Sequence, residues 1–234
     1  MTVPGTSPPR IQDDWRDRYA WPTEDTCVAG LARRAVTIFL RAGCILDIMG
    51  FEGVPAENPL IVAANHLHSF DAFLMDAVFP RKILFLTREN AYRYPPVRWF
   101  LRMCGTVPIR RGQADQWSLD RSLEILRQGG VLGMFPEGRV QHDTGMATAK
   151  TGVATLAFRS GAPILPVAIT GTEALVHWTR MGRRRMQMGL RVGSLLKVDA
   201  VSEPSPERLR SITDELMLRI ASLLPTPYRG VYGS

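Results

Sequence analysis

The stretch NPLIVAANHLHSFDAFLMDAVF, residues 58–79, decides the fold of this chain. Its first half is an apolar run without alternation, which predicts a strand buried on both faces, as in the middle of a parallel sheet. Its second half has the spacing of a short helix, with Ser69 or Asp71 available to cap the first turn. The chain has four histidines, and two of them, His66 and His68, lie where this strand meets this helix.

Strands and helices continue to alternate on both sides of this stretch. The patterns predict strands at 45–54, 82–87, 106–111, 131–138 and 163–172, a strand or hairpin at 183–198, and helices at 27–46, 95–105, 115–130, 150–161 and 205–225. This order predicts an α/β fold, with a mostly parallel central sheet flanked by helices in a single domain.

The two ends of the chain differ from its middle. Turn residues and weak periodicity predict that a flexible N-terminal segment at 1–22 and a C-terminal tail at 226–234 are loose or draped over the surface, so the domain is expected at 23–225. The helix at 27–46 is amphipathic, because Arg34, Thr37 and Arg41 recur at helical spacing beside an apolar face. Such a helix can lie in a lipid headgroup layer, and it can equally pack on the domain.

Composition narrows the range of partners. The net charge of +7 and the pI near 9.8 favour an anionic partner: a nucleic acid, a phosphorylated small molecule or an acidic membrane surface. Three widely spaced cysteines indicate a reducing compartment, with no disulfide framework and no zinc pattern, so no metal is expected. The sequence shows no signal peptide and no apolar stretch of about 20 residues, which predicts a cytoplasmic location.

His66 and Asp71 are the first candidates for chemistry. On a continuous helix their spacing would separate them by about 140°, so they can meet only where the chain turns. A strand-to-helix junction supplies that turn, at the strand end where open α/β sheets bind ligands. The aspartate would then fix the imidazole tautomer, and the histidine would act as a general base. A core histidine beside a helix cap is the alternative interpretation.

Two further segments end strands with arginines. GTVPIRRG, residues 105–112, could deliver Arg111 to an anion, and FPEGR, residues 135–139, could place Glu137, Gly138 and Arg139 against a ligand. Solvated strand ends and a surface turn explain these residues as well. The sequence shows no nucleic-acid motif and no G-x-S-x-G elbow, which weakens nucleic-acid binding and a Ser69 hydrolase as alternatives.

Taken together, these segments resemble the glycerolipid acyltransferase family, which contains bacterial 1-acylglycerol-3-phosphate acyltransferases. NHLHSFD, GTVPIRR, FPEGR and APILPVAITGT stand in the order of the family's four blocks, over the motif core 54–172. The resemblance implies His66 as general base with Asp71 as its partner, and direct attack of a lipid hydroxyl on an acyl thioester. It also implies that Arg111, Glu137 and Gly138 bind the glycerol phosphate part of the acceptor.

One block departs from the family pattern. After Glu-Gly the family has threonine and then arginine, whereas this chain has Arg139 directly. We expect Arg139 to bind the acceptor from its shifted position. Lysophosphatidic acid is the expected acceptor, and a glycolipid hydroxyl is the alternative.

The expected enzyme is therefore an O-acyltransferase of phospholipid biosynthesis. It would bind no cofactor, use acyl-CoA or acyl carrier protein as co-substrate, and associate peripherally with the anionic inner face of the plasma membrane. Nucleic acid is not an expected partner, and a noncatalytic anionic-lipid-binding protein is the rival hypothesis. An apolar groove should hold the acyl chain, and the candidates to line it are Phe70, Phe73, Leu74, Trp99 and Phe100.

Overall fold

A computed structural model of the chain describes residues 14–110, 115–141, 145–180 and 185–233. Within these residues, one sheet is formed by β1 (Cys44–Met49), β2 (Leu60–Ala64), β3 (Ile83–Arg88), β4 (Val107–Ile109), β5 (Val131–Met134), β6 (Ile164–Thr170) and β7 (Met186–Val192). The strand order is β1-β7-β6-β2-β5-β3-β4. Neighbouring strands are parallel except for the antiparallel pair β6 and β7.

Helices cover both faces of this sheet. They are α1 (Cys27–Gly43), α2 (Asp71–Val78), α3 (Pro95–Met103), α4 (Gln116–Arg127), α5 (Gly152–Ser160) and α6 (Pro206–Leu223). One core cluster packs α4, α5 and α6 against the sheet, and the other packs α1 and α2 against its opposite face. The prediction of an α/β fold with a mostly parallel sheet flanked by helices is confirmed.

The central strand β2 is the buried strand expected from its sequence. All five of its residues are fully buried. Because side chains alternate along a strand, Ile61 and Ala63 contribute to one core cluster, and Leu60, Val62 and Ala64 to the other. Such a strand is apolar on both faces, which explains the lack of alternation in its sequence.

The described part of the N-terminal segment packs on the domain. Arg16 is only 1% exposed, and its guanidinium pairs with Asp14 and with Asp115 at the start of α4. Burial raises the pKa of both carboxyls, but the hydrogen bonds and charge of Arg16 outweigh burial and hold each pKa below its usual value. Of the segment 1–22, the structure describes residues 14–22, and this part is attached to the domain. The ion pair with Asp115 joins residues 99 positions apart, so no local pattern revealed it.

The amphipathic helix near the N-terminus is present as α1. Thr26 caps it by accepting a hydrogen bond from the Ala29 N–H at 3.1 Å. Its outward side carries two well-exposed apolar side chains, Leu31 at 70% and Ile38 at 68%. Among the described residues, no helix has the length and apolar character needed to cross a bilayer.

Candidate active site

The structure brings the His66 and Asp71 side chains together. His66 follows the end of β2, Asp71 opens α2, and the loop between them turns the chain back. The Nδ1 atom of His66 lies 2.9 Å from Oδ2 of Asp71. Because an ionised carboxylate can only accept, Nδ1 carries the ring proton and Nε2 is left with a lone pair.

The Asp71 carboxylate is completely buried and is held by several donors. Its Oδ2 atom also accepts hydrogen bonds from the N–H groups of Leu67 at 2.7 Å and His68 at 2.9 Å. Its Oδ1 atom accepts one from the Thr172 hydroxyl at 2.5 Å. These donors satisfy a carboxylate that is 0% exposed. Asp71 is therefore fixed in the orientation that holds the His66 ring.

The loop after β5 supports His66 from a second side. The Phe135 ring stacks on the imidazole with centroids 3.9 Å apart and planes 12° from parallel. Glu137 accepts hydrogen bonds from the His66 N–H at 3.1 Å and from the Ala147 N–H at 2.8 Å. Burial raises the pKa of Glu137, while the hydrogen bonds from Ala147 and His66 oppose this rise. Each oxygen of Glu137 thus binds a backbone N–H, which makes it a support for His66.

A cationic cleft of about 910 Å³ lies beside this loop. Its lining includes the basic residues Arg88, Arg110, Arg139 and Lys150 and the acidic residues Glu89 and Glu137. Arg110 is already engaged, because it pairs with Glu89 at 2.9 Å and with Asp14 at 3.1 Å. Within the described residues, no ion pair is formed by Arg88, Arg139 or Lys150.

Gly138 and Arg139 are both at the cleft, as the sequence predicts. Gly138 has φ of 72°, which favours glycine, and the Lys150 side chain lies over it. A Cβ at this position would be 3.5 Å from Cε of Lys150. Arg111, the remaining predicted substrate-binding residue, lies outside the described residues, which exclude 111–114.

Three supporting residues were missed by reasoning from sequence. Thr172 and Phe135 belong to segments that were recognised, but neither has a side chain type that signals a role beside histidine. Asn65 precedes His66 and is buried, and its side-chain amide pairs with the backbone of Ile169 at 2.9 and 2.8 Å. Asn65 thereby ties the end of β2 to β6. Its place as the first residue of the NHLHSFD block was the one signal available.

The site thus combines a histidine and carboxylate pair at the end of a central strand with a neighbouring cationic cleft. The Acyltransferase family model matches residues 46–170, which is more than half of the chain. The chain therefore belongs to the acyltransferase family, and its enzyme class is that of an O-acyltransferase.

Individual relatives agree with this assignment. A 1-acyl-sn-glycerol-3-phosphate acyltransferase of Bacillus subtilis is 25% identical over 190 residues, 80% of this chain and 92% of that protein. The chloroplastic BAT2 enzyme of Brassica napus, of the same name, is 28% identical over 135 residues, 56% of this chain and only 38% of its own length. The crystal structure of the PlsC acyltransferase from Thermotoga maritima superposes with a TM-score of 0.61 at 26% identity, covering 81% of this chain and 74% of that one.

Proposed function

We propose that this chain transfers a fatty acyl group from acyl-CoA or acyl carrier protein to the free hydroxyl of lysophosphatidic acid, forming phosphatidic acid. One observation carries the proposal: the hydrogen-bonded pair of His66 and Asp71 is joined through Glu137 to a cleft lined by several cations. The pair supplies a base, and the cleft suits a phosphate.

The proposed reaction is a direct transfer. Nε2 of His66 takes the proton of the acceptor hydroxyl while its oxygen attacks the thioester carbonyl carbon. The new C–O bond forms, the C–S bond breaks, and the departing thiolate receives the proton from the imidazolium. Asp71 stabilises the imidazolium between these steps through its bond to Nδ1. General base catalysis of this kind is worth roughly 10²–10⁴ in rate.

The phosphate of the acceptor would bind in the cationic cleft. Arg139 and Lys150 lie next to Gly138, whose lack of a side chain allows a ligand close to the backbone. An arginine can grip a phosphate with two hydrogen bonds. The three cations without described ion pairs favour a phosphate over the uncharged headgroup of a glycolipid. Arg111 remains a predicted contributor to this site.

The acyl chain would follow a row of phenylalanines. Phe39, Phe70, Phe73 and Phe100 lie in succession across α1, α2 and α3, with neighbouring ring centroids 5.7, 6.3 and 6.4 Å apart. Each ring is partly buried, so the row offers an apolar surface next to the loop that carries His66. Of the other groove candidates, Leu74 is 1% exposed and belongs to the core, whereas Trp99 is 53% exposed.

Membrane contact would bring the enzyme to its lipid substrates. The exposed Leu31 and Ile38 lie on α1 together with the exposed cations Arg34 and Arg41. Apolar side chains flanked by positive charge suit an anionic lipid surface such as the inner face of the plasma membrane.

Thiol release from palmitoyl-CoA with lysophosphatidic acid as acceptor tests the proposal. We expect acceptor-dependent release that His66→Ala reduces at least a hundredfold. His68→Ala is the matched control, because the His68 side chain accepts a hydrogen bond from the Phe70 N–H and lacks a described contact with Asp71. This variant should stay within about threefold of the wild type.

The same assay decides between the alternatives. Release with a lysoglycolipid but not with lysophosphatidic acid would contradict the proposed acceptor. Folded protein that binds anionic liposomes yet releases no thiol with any donor or acceptor would contradict the enzyme and favour a noncatalytic lipid-binding protein. Equal loss in His66→Ala and His68→Ala would contradict the role of His66.

A further inference from the structure

The C-terminal tail, residues 225–233, is joined to the loop 145–150 by backbone hydrogen bonds. The Met146 N–H donates to the carbonyl oxygen of Tyr228, and the Val231 N–H donates to that of Met146, both at 3.0 Å. Gly230 lies between these bonds with φ of +51°, and a Cβ there would be 2.1 Å from the Met146 carbonyl oxygen. The two backbones therefore touch where only glycine fits.

Two tyrosines attach the tail at further points. The Tyr228 hydroxyl donates to Oε1 of Glu173 at 2.6 Å, and the Tyr232 hydroxyl accepts from the Ala149 N–H at 3.4 Å. Burial, followed by the bond to Glu173, raises the pKa of Tyr228 to about 12. The tail thus has fixed contacts with the loop and with Glu173, and it lies draped over the surface.

This loop leads directly to the catalytic pair. Its Ala147 N–H binds one oxygen of Glu137, whose other oxygen binds the His66 N–H. The loop residues Ala147, Thr148 and Lys150 line the cationic cleft, and so does Val231 from the tail. Val231 is 65% exposed, so its side chain reaches the cleft without being part of the core.

We infer that the C-terminal tail forms one wall of the acceptor site. The tail positions the loop that carries Lys150, and it places residue 231 beside the anionic group of the acceptor. This inference rests on the proposed function for the nature of the ligand. Val231 takes no part in the chemistry at His66, and it affects only which ligands bind in the cleft.

Val231→Glu and Val231→Gln form the first test. The two side chains have nearly the same size, and an exposed position tolerates both. Because residue 231 lines the cleft, a carboxylate at this position should repel a phosphate bound there, and we expect binding to weaken by a factor of about ten. We expect KM for lysophosphatidic acid to rise about tenfold in Val231→Glu and less than twofold in Val231→Gln, with kcat and KM for palmitoyl-CoA unchanged in both.

Gly230→Ala and Gly129→Ala form the second test. Both glycines have positive φ, at +51° and +77°, but a Cβ on Gly129 meets nothing within 4 Å. Both variants therefore carry backbone strain, and only Gly230→Ala forces the tail away from Met146. We expect KM for lysophosphatidic acid to rise at least fivefold in Gly230→Ala and to stay unchanged in Gly129→Ala.

A binding measurement separates this inference from the proposed function. Calorimetric titration of a short-chain lysophosphatidic acid needs no turnover, and it should give a Kd about ten times weaker for Val231→Glu than for Val231→Gln. This difference in a protein without thiol release would support the tail as a wall of an anion site and contradict the proposed reaction. Equal Kd values for the two variants, whether or not thiol is released, would overturn the inference.

Discussion

Replacing Asp71 with asparagine removes a charge from the site while keeping its shape. The amide oxygen of the new side chain can take the place of Oδ2 and accept from His66 Nδ1 and from the loop N–H groups. The amide nitrogen then faces Thr172, whose hydroxyl can turn to accept instead of donating. The imidazole should therefore keep its orientation and its tautomer.

The expected loss is the stabilisation of the imidazolium by the carboxylate. With 2.9 Å between the bonded atoms, the charge centres of His66 and Asp71 lie roughly 4.5 Å apart. At an effective dielectric of about 20 the attraction is then about 3–4 kcal/mol. Removing it should lower kcat by roughly 10²–10³, because each 1.4 kcal/mol or so corresponds to about tenfold.

The assay is thiol release from palmitoyl-CoA at saturating lysophosphatidic acid. We expect kcat of Asp71→Asn to fall by the factor above, with KM for both substrates within about threefold of the wild type. The double variant with His66→Ala should be no slower than His66→Ala alone, because the two residues act as a unit. A folded Asp71→Asn protein that keeps more than a fifth of the wild-type kcat would refute proton transfer through His66.

Three further perturbations have defined outcomes. Thr172→Val leaves Oδ1 of Asp71 without its hydroxyl donor, so the free energy of unfolding should fall by about 1–3 kcal/mol and kcat should fall roughly tenfold. Urea titration measures the stability, and the thiol assay measures kcat. An unchanged kcat would contradict the role of Thr172. Gly133→Ala puts a Cβ 2.4 Å from the Phe85 ring, which should cost about 1–3 kcal/mol of stability in urea, and a stability equal to wild type would show that the ring can move aside. The carboxyls that bind Arg16 have pKa values below the usual 3.8, so they stabilise the N-terminal segment above that pH and lose this effect as pH falls through their folded pKa. Tryptophan fluorescence should therefore report release of the segment below about pH 4 in the wild type and at higher pH in Arg16→Gln, and equal midpoints would contradict this account.

Much of the fold could be predicted because the signals are local. The apolar run of β2 and the helical spacing after it identify a buried strand followed by a helix. Since strands joined by helices are mostly parallel, their carboxyl ends share one edge of the sheet. That rule agrees with the structure, in which a hydrogen bond joins His66 and Glu137 at one edge of the sheet.

The pairing of the outer strands could not be predicted from the sequence, for a physical reason. β1 is followed in sequence by β2 but lies at the far edge of the sheet beside β7. β7 runs antiparallel to β6 although the other neighbours are parallel. The neighbour and the direction of an outer strand depend on how helices cover the whole sheet, and the residues of one strand do not specify them.

The pairing of His66 with Asp71 could be expected from the sequence, but the groups that support the pair could not. Glu137 was expected to lie against a ligand, and the structure shows that its two oxygens accept from two backbone N–H groups. Backbone donors are the same at every residue, so no sequence pattern marks them. Arg139 does reach the cleft from its shifted position, because the turn at Gly138 directs the chain along the cleft wall.

The carboxylates of Asp71 and Glu137 hold main-chain groups at three successive residues, 66 to 68. The position of His66 thus depends on hydrogen bonds to peptide groups, which every amino acid possesses. The side chains at 68 and 69, which are outside the buried core, can then be exchanged during evolution without moving His66. A lineage can therefore vary the surface of this loop while the position of His66 is inherited unchanged.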